Sequence, residues 1–401
     1  MAVLLTVVGV VVVPGGALEL PPLLGPGPAP RARVVIDPPA WDFGDVEAGG
    51  HSTTRTFTLR NEGTGEFDGS INVYSPFSAI RNTCSGRLRP GSACEVDVVL
   101  NLEQWTATRT EEISGTLEVT RGAQEAETSA AALTGRGVVS GYYLTSAQGR
   151  VFAFGSAVSY GDARGVRLQA PVVGLSATPT ARGYWLVGAD GGIFSYGDAR
   201  FHGSVGDVRL NSPIVGMAST PAGNGYWMVA EDGGIFSFGD AAFHGSKGGS
   251  GYPDPIVAIT PTPTGGGYWL LAADGEVFPF GDAVFFGSTG KTPLEAPILS
   301  MAATPTGGGY WLVSADGAVF SFGDAEFQGA LDGNDDSGVV VGIARPGGGG
   351  GYWLTDLDGK VFAFGSARPH GGVGYGEFGY GEDRDDGVLD IESAPVPPRS
   401  R

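Results

Sequence analysis

The sequence predicts an all-β protein, and three observations point to this class. Glycine accounts for 70 of the 401 residues, well above its usual share of about 7%, and it lacks the regular spacing found in collagen. Between residues 141 and 391, no stretch free of glycine and proline exceeds seven residues, which is too short for an ordinary helix. In the same region an aromatic motif recurs every 42 residues. Many short strands joined by turns are therefore expected.

Residues 1–32 predict an export signal followed by a spacer. Residues 2–13 are uniformly apolar except for Thr6 and Gly9 and precede small residues, as in the core of a signal peptide, and they are too few to span a bilayer as a helix. The positively charged start of such a signal is missing, since no lysine or arginine precedes Arg31. The proline-rich residues 20–30 are typical of a stiff, extended spacer. We expect a secreted protein of the extracellular space or cell envelope, with no transmembrane segment in the mature chain.

Charge and cysteine content exclude several kinds of partner. The formal net charge of -19 leaves no basic surface for phosphate groups, so nucleic acid is not an expected partner. In an exported chain, Cys84 and Cys94 predict one disulfide closing a short loop; the alternative is a pair of thiols in a cytosolic protein. With His51 as the nearest histidine, these cysteines do not form a zinc site. We expect no metal and no cofactor.

Residues 33–137 predict a β-sandwich. Polar and apolar residues alternate in three segments, so each strand has one face toward solvent and one toward a core. Phe57 and Leu59, for example, fall opposite Thr56 and Thr58. Two such sheets packed face to face make a domain of about 100 residues. The three segments are residues 52–60, 94–100 and 114–120.

The same region resembles a known family, the immunoglobulin-like modules called ASH or choice-of-anchor D domains. The resemblance implies an immunoglobulin-like fold and a structural or adhesive spacer, and this family has no active site to carry over. The residues that carry it are 42–46 (DFGDV), 57–63 (FTLRNEG), Cys84, 88–91 (LRPG), Cys94 and 133–137 (LTGRG).

The 42-residue repeat predicts small sheets stacked side by side. The motif Gly-Tyr-Trp starts at Gly183 and recurs at that interval to Gly351, and Gly141-Tyr142-Tyr143 precedes it in register. Its strands are apolar on both faces, as in a sheet packed between neighbours, and the repeat has the length of one four-stranded propeller blade. In one repeat the four predicted strands are residues 214–218, 226–231, 234–238 and 242–245.

Closure of the ring predicts six blades. Six Gly-Tyr-aromatic segments occur, but only five apolar segments of the Ile-Val-Gly-Met type lie between them. Residues 387–391 (GVLDI) resemble the missing copy, so we expect residues 388–391 to pair with residues 142–144 and complete the first blade. The sequence thus predicts a six-bladed β-propeller over residues 141–391, closed by the C-terminal strand, with residues 392–401 as a disordered tail.

The repeat unit also resembles a known group of proteins. Residues 310–324 (YWLVSADGAVFSFGD) are similar to the tandem repeats of secreted actinobacterial proteins, in which they accompany modules that act on cell wall or carbohydrate. The resemblance implies an extracellular or envelope role and does not name a ligand.

Residues that recur in every repeat have a structural and a functional interpretation. Aspartate before glycine, as at Asp190, predicts a hairpin turn, and aspartate after glycine, as at Asp198, predicts a bonded turn rather than a ring of calcium ligands. The repeated tryptophans predict packing between blades; the alternative is sugar stacking. For the periodic histidines, exchange with phenylalanine favours packing over metal binding. These residues are Trp185, Trp227, Trp269, Trp311 and Trp353, with His202, His244 and His370.

Function in a repeat ring is expected where the symmetry breaks. The largest break is residues 371–387, about six residues longer than its counterparts, and it combines aromatic with acidic residues. The acidic runs 331–337 and 381–386 are interpreted as solvated loops, with calcium binding as the alternative. The candidate ligand-binding residues are Tyr375, Phe378, Tyr380, Glu382 and Asp383.

These observations predict a secreted, non-enzymatic binding or adhesion protein or a cell-envelope scaffold. Its partner would be a carbohydrate, a cell-envelope component or another protein. The alternative is a propeller lectin that binds envelope or extracellular polysaccharide, with one shallow site per blade. A third hypothesis, a glycan hydrolase or lyase, requires a non-repeated set of histidine, arginine or paired carboxylates on one face, and we expect no such set and no catalytic residue.

Overall fold

A computed structural model describes residues 29–47, 50–84, 87–103, 111–121, 128–331, 337–347, 350–373 and 387–395. Within these ranges the chain forms strands and turns and contains no helix. The predicted all-β class is confirmed. In the part of the chain that the structure describes, no helix has the length and apolar character needed to cross a membrane.

The described residues of the first region form nine strands in two sheets. One sheet has the order β1-β3-β7-β5 and the other β2-β9-β8-β4-β6. Strands β2 and β9 pair in parallel, and the remaining neighbours pair antiparallel. The strands are β1 (Val34–Asp37), β2 (Ala40–Glu47), β3 (Arg55–Asn61), β4 (Phe67–Val73), β5 (Phe77–Asn82), β6 (Arg87–Leu88), β7 (Ala93–Leu100), β8 (Glu111–Arg121) and β9 (Thr128–Val138).

The two sheets share one apolar core, which follows from the alternation in their strands. Phe57 and Leu59 of β3 are buried against residues of the second sheet such as Leu117. Burial of each such side chain stabilises the fold by roughly 1.5 to 3 kcal/mol. Cys84 and Cys94 form the predicted disulfide, and both pack against this core.

The second region consists of three-stranded antiparallel sheets, six in the described residues. Each has an inner, a middle and an outer strand, and the middle strands carry the Gly-Tyr-aromatic motif. In chain order the strands are β10 (Gly141–Ser146), β11 (Val151–Gly155), β12 (Val172–Ala177), β13 (Gly183–Gly188), β14 (Ile193–Gly197), β15 (Ile214–Ser219), β16 (Gly225–Ala230), β17 (Ile235–Gly239), β18 (Ile256–Pro261), β19 (Gly267–Ala272), β20 (Val277–Gly281), β21 (Ile298–Ala303), β22 (Gly309–Ser314), β23 (Val319–Gly323), β24 (Val340–Ala344), β25 (Gly351–Asp356), β26 (Val361–Gly365) and β27 (Val388–Ser393).

The C-terminal strand closes these sheets into a ring. β27 pairs antiparallel with β10, with Leu144 opposite Ile391, as predicted from residues 387–391. It contacts the inner strands β24 and β12 on its two sides, and the other inner strands contact each other in order. β27 therefore covers the edge of β10 and completes the first sheet.

The predicted disordered tail begins too early at residue 392. Glu392 and Ser393 belong to β27, and Ser393 lies opposite Tyr142. The pairing continues because the Ala394 amide donates to the Gly141 carbonyl at 2.8 Å. Residues 396–401 lie outside the described residues.

The predicted fourth strand of each repeat is wrong: residues 242–245 do not join a sheet. Their backbone groups bind aromatic side chains instead of a neighbouring strand. Trp227 Nε1 donates to the Ala242 carbonyl at 2.7 Å, and the Tyr268 hydroxyl of the next sheet donates to the Gly245 carbonyl at 2.6 Å. The same hydroxyl accepts from the His244 amide at 3.2 Å. Side chains thus satisfy the polar groups that a strand ladder would otherwise pair.

These tyrosine bonds join neighbouring sheets around the ring. We call the stretch after each outer strand the outer segment: residues 156–161, 198–203, 240–245, 282–287, 324–329 and 366–371. At each boundary in the described ring, a tyrosine hydroxyl donates to the carbonyl of the last glycine in the preceding outer segment. The pairs are Tyr184 with Gly161, Tyr226 with Gly203, Tyr268 with Gly245, Tyr310 with Gly287, Tyr352 with Gly329 and Tyr142 with Gly371.

Candidate functional site

The repeated tryptophans are structural. Each is nearly or fully buried, with at most 6% of its surface exposed. Each indole nitrogen donates to a carbonyl of its own outer segment, as Trp185 does to Arg200 at 2.8 Å. The packing interpretation is confirmed, and burial removes these rings as sugar-stacking surfaces. The same bond is made by Trp227, Trp269, Trp311 and Trp353.

The repeated aspartates hold turns. Asp190 accepts from the Gly192 amide at 2.9 Å, and Gly191 between them has φ of +80°, a conformation that favours glycine. Asp198 accepts from the Thr178 hydroxyl at 2.9 Å. The hairpin turn at Asp190 is confirmed. Asp198 also has a structural role, but its carboxylate accepts from threonine hydroxyls and not from the backbone N–H groups that were expected. In the described ranges, no group of three or more histidine, cysteine, aspartate or glutamate side chains is placed to hold a metal ion.

The periodic histidines pack against tyrosines. The His202 ring lies edge-on to Tyr226 with centroids 5.7 Å apart, and His244 has the same relation to Tyr268. His370 also contacts Tyr142, at 5.9 Å between ring centroids. The packing interpretation is confirmed.

The ligand loop favoured by the sequence is not tested by the structure. Tyr375, Phe378, Tyr380, Glu382 and Asp383 all lie outside the described residues, as do most of the acidic runs. They stay a prediction.

Exposed phenylalanines mark the rim of the ring, and the sequence analysis missed them. They occupy one position in four successive outer segments and are 50% to 61% exposed. Alternation explains the exposure: the next side chain, such as His202, packs inward on a tyrosine, so Phe201 points away. The recurrence at 42-residue spacing was visible in the sequence. We call them the rim phenylalanines: Phe201, Phe243, Phe285 and Phe327.

The six inner strands surround a central channel with a cavity of about 250 Å³. The third residue of each inner strand is small, except in β27, where it is Asp390. The fifth residue is likewise small, except for Glu392 of β27. The strand that closes the ring therefore places two carboxyl groups in an otherwise neutral wall. The small residues are Gly174, Gly216, Ala258, Ser300 and Gly342 at the third position, and Ser176, Ala218, Thr260, Ala302 and Ala344 at the fifth.

Arg345, directly after β24, is the third charged group of the channel. Among the described residues that line the cavity, it is the one cation, and it lines the same cavity as Asp390 and Glu392. Burial raises the pKa of Asp390 to about 6. Burial and the neighbouring Asp390 raise the pKa of Glu392 to about 8, although Arg345 opposes this. Burial also lowers the pKa of the Arg345 guanidinium.

Both carboxyl groups also link neighbouring inner strands. Asp390 Oδ2 accepts from the Leu175 amide at 3.0 Å, and Glu392 accepts from the Ala177 amide. Serines make the equivalent bonds elsewhere: Ser300 Oγ accepts from the Ile343 amide at 3.4 Å, and Ser176 Oγ accepts from the Ser219 amide at 3.1 Å. A neutral hydroxyl performs the linking role, so the charges of β27 exceed what the ring requires.

From the sequence we expected no non-repeated set of histidine, arginine or paired carboxylates on one face. The structure corrects this expectation, because it brings Arg345, Asp390 and Glu392 together in the channel. Alignment of the inner strands would have revealed both carboxylates as departures from a small-residue position. Arg345 lies just beyond its strand, where the repeat pattern gives no signal.

Comparisons with known proteins add little to this picture. No protein-family model and no curated protein matches the chain. A protein of unknown function from Porphyromonas gingivalis W83 is 14% identical with a TM-score of 0.21, covering 26% of this chain and 46% of that one. The Myceliophteria thermophila Cps50 (Swd1) β-propeller domain is 11% identical with a TM-score of 0.32, covering 57% of this chain and 84% of that one. The ring assignment rests on the strand pairing described above.

Proposed function

We propose that this chain is an extracellular, non-enzymatic binding or scaffold protein. Its first region is an immunoglobulin-like spacer, and its second is a six-bladed β-propeller whose rim contacts a cell-envelope component. The observation that carries the proposal is the set of rim phenylalanines. Four blades in succession present the same exposed aromatic side chain.

The rim phenylalanines are not required by the propeller fold. Ser159 and Pro369 occupy the same position in the first and last repeats, so the blade forms without an aromatic residue there. Burying a phenylalanine in an interface stabilises the complex by roughly 1.5 to 3 kcal/mol relative to leaving it in water. Four equal contacts on a rigid ring favour a repetitive partner, because each contact raises the effective concentration of the next.

The channel carboxylates argue against a glycan hydrolase. Such enzymes place two carboxyl groups on opposite sides of the bond that is cleaved. Asp390 and Glu392 lie two residues apart on one strand, so they line the same wall. The proposal therefore keeps the protein non-enzymatic and assigns no catalytic residue.

The alternative is a lectin with one sugar site per blade. The buried tryptophans cannot serve it, but the rim phenylalanines have the required repetition and could stack on sugar rings. The two versions differ in what they bind: a lectin binds purified polysaccharide alone, whereas an adhesion protein needs the intact envelope.

The test is co-sedimentation of the full chain with purified cell envelope and, in parallel, with extracted polysaccharide. Replacing all four rim phenylalanines with serine should reduce envelope binding at least tenfold, and replacing Phe201 and Phe243 alone should give an intermediate loss. The control variant carries Val166→Ser and Val208→Ser, which change exposed apolar residues of similar exposure elsewhere on the ring. Equal binding by the fourfold variant and the wild type would disprove the proposal.

A further inference from the structure

The channel lining contains opposite charges that do not pair directly. In the described residues, no ion pair within 4.0 Å and no hydrogen bond involves the Arg345 guanidinium, although it interacts electrostatically with Glu392. A desolvated guanidinium is stabilised by a direct partner. The space between Arg345 and the carboxyl groups of β27 is thus suited to a molecule that bridges them.

We propose that the central channel binds a small zwitterion, with its carboxylate on Arg345 and its ammonium group on Asp390 and Glu392. The guanidinium offers several N–H donors in a planar fork, which matches the two oxygens of a carboxylate. Each channel carboxyl group uses part of its accepting capacity on a backbone amide. An ionised or a protonated carboxyl group keeps oxygen atoms that can accept further hydrogen bonds, so both can also accept from an ammonium group.

The volume of the cavity and the residues around it indicate the size and polarity of the ligand. A volume of about 250 Å³ lies just below the range of about 300 to 1,000 Å³ typical of drug-sized ligands, which fits a molecule of amino-acid size. The second residue of each inner strand is an aliphatic side chain that lines the same cavity, such as Val173 or Leu389. An α-amino acid with an apolar side chain satisfies the charges and this wall together.

The net charge of the protein favours a zwitterion over a simple anion. At -19, the protein repels anions from its surface. A molecule with no net charge approaches the channel without this cost. Near neutral pH the Arg345 guanidinium and the ionised Asp390, whose pKa is about 6, give the channel no net charge. A bound zwitterion leaves this net charge unchanged.

The test is calorimetric titration of the full chain with L-valine, N-acetyl-L-valine and L-valinamide. The two derivatives lack the ammonium charge and the carboxylate, respectively. We expect L-valine to bind and each derivative to bind at least tenfold more weakly. Absence of binding at about 10 mM, which would nearly saturate a site with a dissociation constant of 1 mM, would overturn the proposal. Equal binding of valine and either derivative would also overturn it.

Two variants assign the binding to the channel. Arg345→Gln should weaken L-valine at least tenfold, and Arg345→Lys should restore part of the loss. The matched control is Arg182→Gln, because Arg182 is an exposed arginine of the same ring. Unchanged binding by a folded Arg345→Gln protein, checked by its circular dichroism spectrum, would contradict the assignment. The fourfold rim variant should bind L-valine normally, so failure of the envelope proposal and failure of the channel proposal are distinguishable.

Discussion

The Tyr142 hydroxyl donates a hydrogen bond to the carbonyl of Gly371 at 2.6 Å, across 229 residues of chain. Tyr226 makes the same bond to Gly203, only 23 residues away. The first and last sheets are thus joined by the same tyrosine-to-glycine hydrogen bond that joins other neighbouring sheets. The pairing of β27 with β10 is a second connection between the two ends of the ring. Two independent sets of bonds close the ring.

Removing the Tyr142 hydroxyl should destabilise the ring. Tyr142→Phe removes the hydroxyl that donates to the Gly371 carbonyl and accepts from the His370 amide, so the free energy of unfolding should fall by about 1 to 3 kcal/mol. Urea unfolding measures this. Tyr226→Phe is the matched change at an internal boundary and should have an effect of the same size. An unchanged urea midpoint for Tyr142→Phe would show that this bond does not contribute.

Deleting the closing strand should open the ring. A chain that ends at Gly387 loses β27, which exposes the strand edge of β10 and uncovers the sides of β12 and β24 that pack against β27. We expect a lower melting temperature and concentration-dependent association, because free strand edges pair with other chains. Thermal unfolding and sedimentation velocity measure both effects. A chain that ends at Pro395 keeps all of β27 and should behave as the wild type.

The channel carboxyl groups should make stability fall as pH rises. Glu392 has a pKa of about 8 when folded against an ordinary value of 4.5, so the folded state binds its proton more tightly. Its contribution is complete below pH 4.5 and is lost as pH rises to 8. Because Glu392 borders the open channel, we expect a decrease of roughly 1 to 4 kcal/mol. Asp390 adds a smaller decrease between pH 4 and 6.

Glu392→Gln isolates this effect. The amide keeps an oxygen to accept from Ala177 but carries no charge, so the variant should be more stable than the wild type at pH 8 and equal to it near pH 4. Urea unfolding across this range gives the comparison. Glu231→Gln, an exposed change in the same ring, should leave the pH profile unaltered. A wild-type profile that rises between pH 5 and 8 would contradict the prediction.

Loss of the disulfide should affect only the first region. Replacing Cys84 and Cys94 with alanine frees a loop that the disulfide closes, which should lower the free energy of unfolding of the first region by about 2 to 4 kcal/mol. Most tryptophans lie in the ring, so their near-ultraviolet circular dichroism reports its unfolding. The melting temperature measured by this signal should not change. A shift of both transitions by the same amount would contradict this expectation.

Much of the ring could be predicted because its signals are local. Turn glycines and the Gly-Tyr-aromatic motif recur in each repeat, so counting segments predicted that the C-terminal strand pairs with β10. The predicted register is wrong, because residues 388–391 lie opposite residues 144–146 and not opposite residues 142–144. The predicted fourth strand failed for a non-local reason. Whether residues 242–245 join a ladder depends on Trp227 and on Tyr268 of the next sheet.

The sequence by itself determined the all-β class, the repeat, its closing strand and the structural use of the repeated tryptophans, histidines and aspartates. Only the tertiary structure decided where charge converges. Asp390 meets Leu175 across 215 residues, and Arg345 shares their channel. The repeat pattern shows which residues all repeats have in common. The charged residues of the channel differ from that pattern, and their positions relative to one another depend on which strands the closed ring places side by side.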